Sequence, residues 1–391
     1  MSKLDELIRE LCPDGVETFP LEECCNILDK KRKPVTKNSR EKGEYPYYGA
    51  NGVQDYVSDY IFNGKFVLVG EDGSVITKSG TPVVTWAEGK IWVNNHAHVI
   101  EEKSGTMLRY LYFYIQTIDV TSLIHGNIPK LTGRDFRSLK IALPPLEIQR
   151  EIVSILDNFT NLTAELTAEL TARGIQYSYY RNKLLTFHSD TKIVQLADIA
   201  DIGTGSSNTN EAVEDGKYPF FVRSQEPLRK NDFEYDETAI ITAGDGVGVG
   251  KVYHYIEGRY ALHQRAYRIH INTPEVVPKY YFHYMKAKFL PYIQKTMFQG
   301  SVASIRRPML NAFPVPVPSL DVQNRIVKVL DNFEKICSDL NIGLPAEIEA
   351  RQKQYEYYRD KLLTFAENGN TILSRAEQSR AEQSRAEQSR A

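Results

Sequence analysis

Two stretches of the chain carry the same long helical stripe. After Pro144-Pro145, apolar side chains recur at Ile148, Ile152, Ile155, Phe159, Leu162, Leu166 and Leu170, and Tyr177, Tyr180, Leu184 and Phe187 extend the series. Steps of three and four place them on one helix face, as in a coiled-coil seam. No proline falls between Leu146 and Phe187, although Gly174 weakens the middle. At 1.5 Å per residue the run predicts a rod of roughly 60 Å. The second stripe runs through Val322, Ile326, Val329, Phe333, Ile336 and Leu340, meets Gly343-Leu344-Pro345, and resumes at Ile348 with Tyr355, Tyr358, Leu362 and Phe365. A proline there predicts a break or kink. Two matching seams predict helices that pack on each other, antiparallel.

The match extends to the residues themselves. Leu139–Phe159 reads LKIALPPLEIQREIVSILDNF, and Phe313–Phe333 reads FPVPVPSLDVQNRIVKVLDNF, an offset of 174. Gln176-Tyr177-Ser178-Tyr179-Tyr180-Arg181 returns as Gln354-Tyr355-Glu356-Tyr357-Tyr358-Arg359 at 178. Fainter echoes precede each helix: Gly43–Tyr48 against Gly216–Phe221 and Asp72-Gly73 against Asp245-Gly246, both at 173, with Gly126 and Leu131 against Gly300 and Ile305 at 174. The chain is an internal duplication, each half a variable segment followed by a repeated one.

The variable segments have a different texture. Short β-rich runs such as Lys65–Val69 and Ala239–Thr242 alternate with glycine-bearing turns, for example Glu71–Ser74 and Gly244–Gly246. Each closes with a tyrosine-rich helical stretch, around Leu108–Gln116 and Lys279–Lys286. The expected fold is therefore mixed, α+β: two α/β domains separated by two long antiparallel helices, with pseudo-twofold duplication. The expected segments are a capping helix at 1–12, α/β domains at 13–143 and 190–318, helical spacers at 144–189 and 319–366, and a tail at 367–391. Leu4, Leu7, Ile8 and Leu11 give the first helix its apolar face. The tail repeats Ser-Arg-Ala-Glu-Gln with a period of five, which gives no single apolar face.

Composition narrows the function. With 391 residues, two or three globular units are expected. A formal net charge of −2 excludes a protein that coats nucleic acid indiscriminately, so any nucleic-acid role rests on local patches. Four cysteines, Cys12, Cys24, Cys25 and Cys337, have neither zinc nor disulfide-framework spacing and point to a reducing cytoplasm. No apolar run reaches about 18 residues, so no membrane role is expected.

Imitations of active sites fail on chemistry. Gly244-Asp245-Gly246-Val247-Gly248-Val249-Gly250-Lys251 resembles a phosphate cradle, but Val252 stands where a P-loop needs Ser or Thr. Asp72 with Glu88-Gly89-Lys90 resembles the acidic pair and lysine of metal-dependent nucleases. The second half offers Asp245 without a matching Glu-x-Lys. His96 and His98 lack a third ligand, and no methyltransferase signature appears. The expectation is a chain with no catalytic residues and no metal of its own. A self-contained nuclease and a coiled-coil scaffold without nucleic acid remain the alternatives.

Binding chemistry survives. Residues 28–140 hold 16 Lys and Arg against 12 Asp and Glu, and residues 200–313 hold 14 against 12. Charge and turn or pre-helix placement select candidate nucleic-acid contacts, since cations bind phosphates while Arg, Asn and Gln offer forked donors to base edges. In the first half these are Lys31, Arg32, Lys33, Tyr48, Asn51, Lys78, Asn95, His96, Lys130 and Arg134. In the second they are Asn208, Arg223, Ser224, Gln225, Lys251, Gln264, Arg265, Ser304, Arg306 and Arg307.

With its paired Pro-Pro-Leu-Glu-Ile-Gln-Arg-Glu-Ile and Pro-Ser-Leu-Asp-Val-Gln-Asn-Arg-Ile helix starts, the chain resembles the specificity subunits of type I restriction–modification systems over residues 1–366. Gly126–Leu131 and Gly300–Ile305, the Thr-Ala-Glu-Leu tandem at Thr163–Leu170, and Arg351–Asp360 carry the rest of the likeness. The resemblance implies that each variable segment is a target-recognition domain reading one half of a split site on double-stranded DNA. It implies that the helices set the spacer and dock two methyltransferase subunits, with restriction subunits joining the complex. S-adenosylmethionine would sit on the methyltransferase subunit, ATP and Mg2+ on the restriction subunit, and the chain in a bacterial or archaeal cytoplasm. Spacer and subunit contacts are then expected of Gln149, Ile152, Leu156, Phe159, Leu166 and Tyr180, and of Gln323, Ile326, Leu330, Phe333 and Tyr358. One Thr-Ala-Glu-Leu unit adds about 6 Å and about 40° beyond a full turn, against about 3.4 Å per base pair. Its loss is expected to change the unread spacer by one or two base pairs.

Overall fold

The computed structural model describes residues 3–296, 304–339 and 342–364, apart from the side chains of 125 and 296. Leu340, Phe365, the landmark positions 300–303 and the tail at 367–391 lie outside the described residues. The chain divides into two units, Met1–Glu165 with Ile348–Ala391, and Leu166–Glu347.

The first unit begins with α1 (Lys3–Leu11) and builds a six-stranded sheet from β1 (Asn26–Ile27), β2 (Lys42–Gly49), β3 (Gly52–Val57), β4 (Phe62–Gly70), β5 (Val84–Val93) and β6 (Ala97–Glu101). The strand order is β1-β6-β4-β5-β2-β3. β2 and β5 pair in parallel and the other neighbours antiparallel. Strand β4 is central, and the sequence shows why: its last residues are an unbroken apolar run buried on both faces. Alternate residues go to opposite sides. Val67 and Val69 join the cluster containing α2 (Leu108–Ile115), while Phe66 and Leu68 join a separate cluster on the other face.

The second unit repeats this design with β7 (Ala200–Thr204), β8 (Tyr218–Phe221), β9 (Leu228–Lys230), β10 (Tyr235–Ala243), β11 (Tyr253–Leu262) and β12 (Ala266–Ile271). The order is β7-β12-β10-β11-β8-β9, the same topology strand for strand, again with one parallel pair, β8 with β11. Ile240 of β10 faces the cluster of the tyrosine-rich helix, and Ala239 and Ile241 face the opposite cluster.

The seams form helices α3 (Leu146–Leu184), α5 (Leu320–Ser338) and α6 (Leu344–Leu363), with α4 (Pro278–Thr296) the counterpart of α2. The second seam breaks before Pro345, as expected. Within the second unit, Tyr177 donates to Glu334 at 3.0 Å and Tyr180 stacks on Phe333 at 5.8 Å, so rising numbers on α3 meet falling ones on α5. These segments are antiparallel. Within the first unit the same pair recurs with roles exchanged: Phe159 of α3 stacks on Tyr358 of α6 at 5.3 Å.

Six positions expected to serve the spacer or a partner face inward instead. Gln149, Ile152 and Leu156, like Gln323, Ile326 and Leu330, are buried in their own unit's core. The glutamines explain the arrangement. Gln149 donates through Nε2 to the carbonyls of Pro144 (2.8 Å) and Gly105 (3.1 Å), and its Oε1 accepts from the Met107 amide (2.8 Å). Gln323 repeats this with Pro318, Glu275 and the Val277 amide, each at 2.8 Å. Each buried amide thus fastens the start of a seam helix to the loop that opens α2 or α4. Phe159, Leu166 and Phe333 are half-buried, Tyr358 likewise, and Tyr180 is exposed. Helix α1 packs Leu4 and Ile8 beside Ile148 and Ile152, with Lys3 paired to Glu151 at 2.7 Å, but Leu11 faces solvent.

Candidate nucleic-acid interface

At one end of each sheet three loops meet, and the loops of the two units are built alike. In the first unit the turn Asn94-Asn95-His96 joins β5 to β6. Its first residue is buried, donates its amide to the Tyr48 carbonyl (3.1 Å), and accepts the His96 amide on its side-chain oxygen (2.8 Å). In the second unit His263-Gln264-Arg265 joins β11 to β12. His263 is buried, its amide donates to the Phe221 carbonyl (2.9 Å), and its Nδ1 accepts the Arg265 amide (3.0 Å). A polar acceptor in the first position thus closes both turns and leaves the second and third side chains exposed.

The Asp-Gly turns after β4 and β10 lie against these crests. The amide of Glu71 donates to the His96 carbonyl (2.8 Å), and that of Gly244 to the Arg265 carbonyl (2.9 Å). Asp72 bridges Lys130 in antiparallel pairing, and Asp245 bridges Ser304. Gly73 and Gly246 both take a φ of +81°, which favours glycine. The aspartates hold the third side chain of the neighbouring turn. Asp72 bonds His96, and Asp245 receives Arg265 at 3.3 Å and Arg223 at 2.6 Å. Burial alone would raise the Asp245 carboxyl, but the two guanidiniums outweigh it and hold it below the ordinary carboxylate range. Asn208 adds a buttress, its Oδ1 accepting from Gln264 Nε2 at 2.5 Å.

The structure therefore brings Asn95, His96 and Lys130 together in one unit, and Asn208, Arg223, Gln264, Arg265 and Ser304 in the other. The remaining candidates are dispersed. Asn51 caps the β2–β3 hairpin, and Ser224-Gln225 occupies the corresponding turn after β8. Lys31, Lys78 and Lys251 are exposed on separate turns, and Lys33 stands 5.8 Å over the Trp92 ring. Arg134 lies on the short helix Gly133–Arg137, and Arg306 and Arg307 at the start of Arg307–Asn311.

Two candidates are unsuited to contact a ligand. Tyr48 is buried in the sheet core. Arg32 is spent internally: its guanidinium donates to Glu71 (2.6 Å) and to the carbonyls of Ala97 (2.8 Å) and Asp29 (3.0 Å). That network includes buried His98, which reaches Asp29 at 2.7 Å and stacks on Phe136 at 4.1 Å. Arg32 belongs to the basic run Lys30–Lys33, and a run does not reveal which member turns inward.

The anchors carry no shared signal in the sequence. Asn94 and His263 differ in type, and their turns align at an offset of 169 rather than 173; the turns share no residue, and only Ala97 with Ala266 and Ile100 with Ile269 match in the strand that follows. Asp72 and Asp245 stood out in the sequence but for other chemistry. Glu88 faces Lys65 across β5–β4, whereas Asp72 follows the far end of β4. The six residues of strand-like chain between Lys65 and Asp72 correspond to about 20 Å, which separates the parts of the nuclease reading. The glycine-rich segment 244–251 is the loop that carries Asp245.

Comparison with known proteins agrees with this duplicated design. The sequence profile of the type I restriction modification DNA specificity domain matches residues 13–173 and again 188–350. The chain belongs to that family, as a two-domain member. A putative type I restriction enzyme specificity subunit of Haemophilus influenzae is 34% identical over 378 residues, covering 90% of this chain and 96% of the relative. The EcoR124I/EcoR124II specificity subunit of Escherichia coli is 34% identical over 298 residues, 68% of this chain and 72% of its own length. The crystal structure of a type I restriction-modification system S subunit from M. genitalium shares the fold, with a TM-score of 0.63 at 14% identity, covering 90% of this chain and 97% of that one. No helix among the described residues is long and apolar enough to cross a membrane.

Proposed function

We propose that each unit reads one half of a bipartite site on double-stranded DNA, and that the chain is the non-catalytic adaptor of a type I complex. The observation that carries this reading is the twice-built crest: equivalent turns on equivalent sheets expose an amide and a cationic or imidazole side chain, Asn95-His96 and Gln264-Arg265. Such groups suit base edges, and the neighbouring Lys130 and Arg223 suit phosphates. Two readers with different side chains fit an asymmetric site. The seam helices would set the spacer and dock two methyltransferase subunits, with restriction subunits joining through them. The target adenine would be modified at N6 with S-adenosylmethionine held by the methyltransferase subunit. ATP and Mg2+ would belong to the restriction subunit. A stacked adenine is out of reach, so the methyltransferase must swing it out while this chain holds the duplex in register. The setting is a bacterial or archaeal cytoplasm.

Single-molecule sequencing for N6-methyladenine tests this, in a host expressing the cognate methyltransferase subunit with and without the chain. Methylation that appears only with the chain, at one split motif of fixed spacer, is expected. Methylation that is absent or unsplit, while both proteins are soluble and associated, would sink the reading.

A further inference from the structure

The two crests are alike in backbone but differ in the hydrogen-bond patterns they present. In the second unit the exposed Gln264 gives one N–H to Asn208, and its Oε1 and its other N–H can serve together as an acceptor–donor pair. Arg265 gives Nη1 to Asp245, leaving the rest of the guanidinium fork available, and its side chain is 60% exposed. Asn208 and Asp245 thus fix both side chains before any ligand arrives, which lowers the ordering cost of binding. In the first unit Asn95 presents the same kind of amide. His96 has its Nδ1 committed to Asp72, which leaves Nε2 as the ring nitrogen able to contact a ligand.

Resting on the DNA-reading function above, we propose that Gln264 and Arg265 read neighbouring base pairs in one half-site, an adenine and a guanine. Asn95 reads an adenine in the other half-site, where His96 adds a single, less selective contact. The chemistry is direct. An amide matches adenine N6 and N7 with two hydrogen bonds, and a guanidinium matches guanine O6 and N7. An imidazole with one free nitrogen makes one bond and discriminates less. The adenine read by an amide is distinct from the one modified, because the modified base leaves the stack.

The test uses the full chain co-expressed with its methyltransferase subunit and reads the methylated motif by single-molecule sequencing. Arg265→Ala is expected to relax one guanine position, a loss of discrimination of about 5- to 150-fold. Gln264→Ala should relax the adjacent adenine, and the other half-site should be unchanged in both. Arg265→Lys keeps the charge but not the fork, so it should also relax the guanine, and it decides the matter if the alanine variant fails to assemble. His96→Arg should tighten one position of the other half-site to guanine. A motif that stays intact while methylation weakens uniformly would make Arg265 a phosphate contact and overturn the assignment, as would relaxation in both halves. If the unaltered chain yields no split motif, the adaptor reading itself fails. If it yields one and the variants leave it unchanged, only this assignment fails.

Discussion

Polar pairs at the helix junctions do the joining in both units, and they do it with different chemistry in equivalent places. Arg109 of α2 pairs with Asp157 at 2.7 Å, its guanidinium 4.6 Å from the Tyr112 ring. The counterpart in the second unit, 174 residues on, is His283 with Asp331 at 2.7 Å, beside Lys286 and Glu334. Burial pushes the His283 imidazole below its ordinary value, although Glu334 and Asp331 pull the other way. Its folded pKa being depressed, the unfolded chain takes up a proton that the folded one refuses. The stability from neutral His283 is therefore complete above about pH 6.5 and is lost as pH falls below that value. Hydrogen exchange in α4 should accelerate between pH 7.5 and 5.5 relative to α2, and His283→Gln should flatten that difference. Equal slopes in α2 and α4 would disprove it. A second expectation concerns Gln323. Gln323→Leu leaves the Val277 amide and two carbonyls without their partner, at about 1–3 kcal/mol for an orphaned buried group. Chemical denaturation should find the second unit less stable by at least that amount; an unchanged midpoint would mean that water replaces the amide.

Helices and strands differ in how openly they were written. The seam period set α3 at nearly its observed length, and Pro345 marked the break between α5 and α6. What the stripe could not reveal is which apolar face is used where. Ile152 and Leu156 belong to the junction with α2, whereas Leu162 and Tyr180 are exposed. The same spacing serves both because a helix repeats its face regardless of what covers it. The strands were legible where β-branched runs were dense, as in β4 and β10. The crests were not, because a three-residue turn has no period and its anchor changes from Asn94 to His263. The Thr-Ala-Glu-Leu tandem lies in the uninterrupted middle of α3, where most side chains are exposed. Deleting Thr167–Leu170 should leave both half-site sequences intact and shorten the unread spacer of the methylated motif by one or two base pairs. A motif with unchanged spacing would show that α3 does not set it.

Across the whole molecule, duplication has joined what the sequence separates. The first unit takes its last helix from the far end of the chain: Leu363 of α6 is buried in the same cluster as Leu4, Ile8, Phe113 and Ile152, and Tyr355 meets Phe113 at 6.3 Å. The second unit takes the later part of α3 in the same manner, with Leu184 and Leu185 packed among Ile326 and Leu330. Each recognition domain is thus completed by a helix that follows the other domain in sequence, an arrangement that no local pattern announces. A chain ending at Gly343 would keep both sheets and both crests but lose the α6 contribution to the first core. Burying a side chain such as Leu363 contributes about 1.5–3 kcal/mol, and Leu362, Tyr355 and Tyr358 add to it. The truncated chain should therefore show faster hydrogen exchange in α1, α2 and the start of α3, while β10 and β12 keep their protection. Its methylation should fail first through the half-site read by the first unit. Uniform destabilisation of both units would instead mean that they fold as one cooperative body.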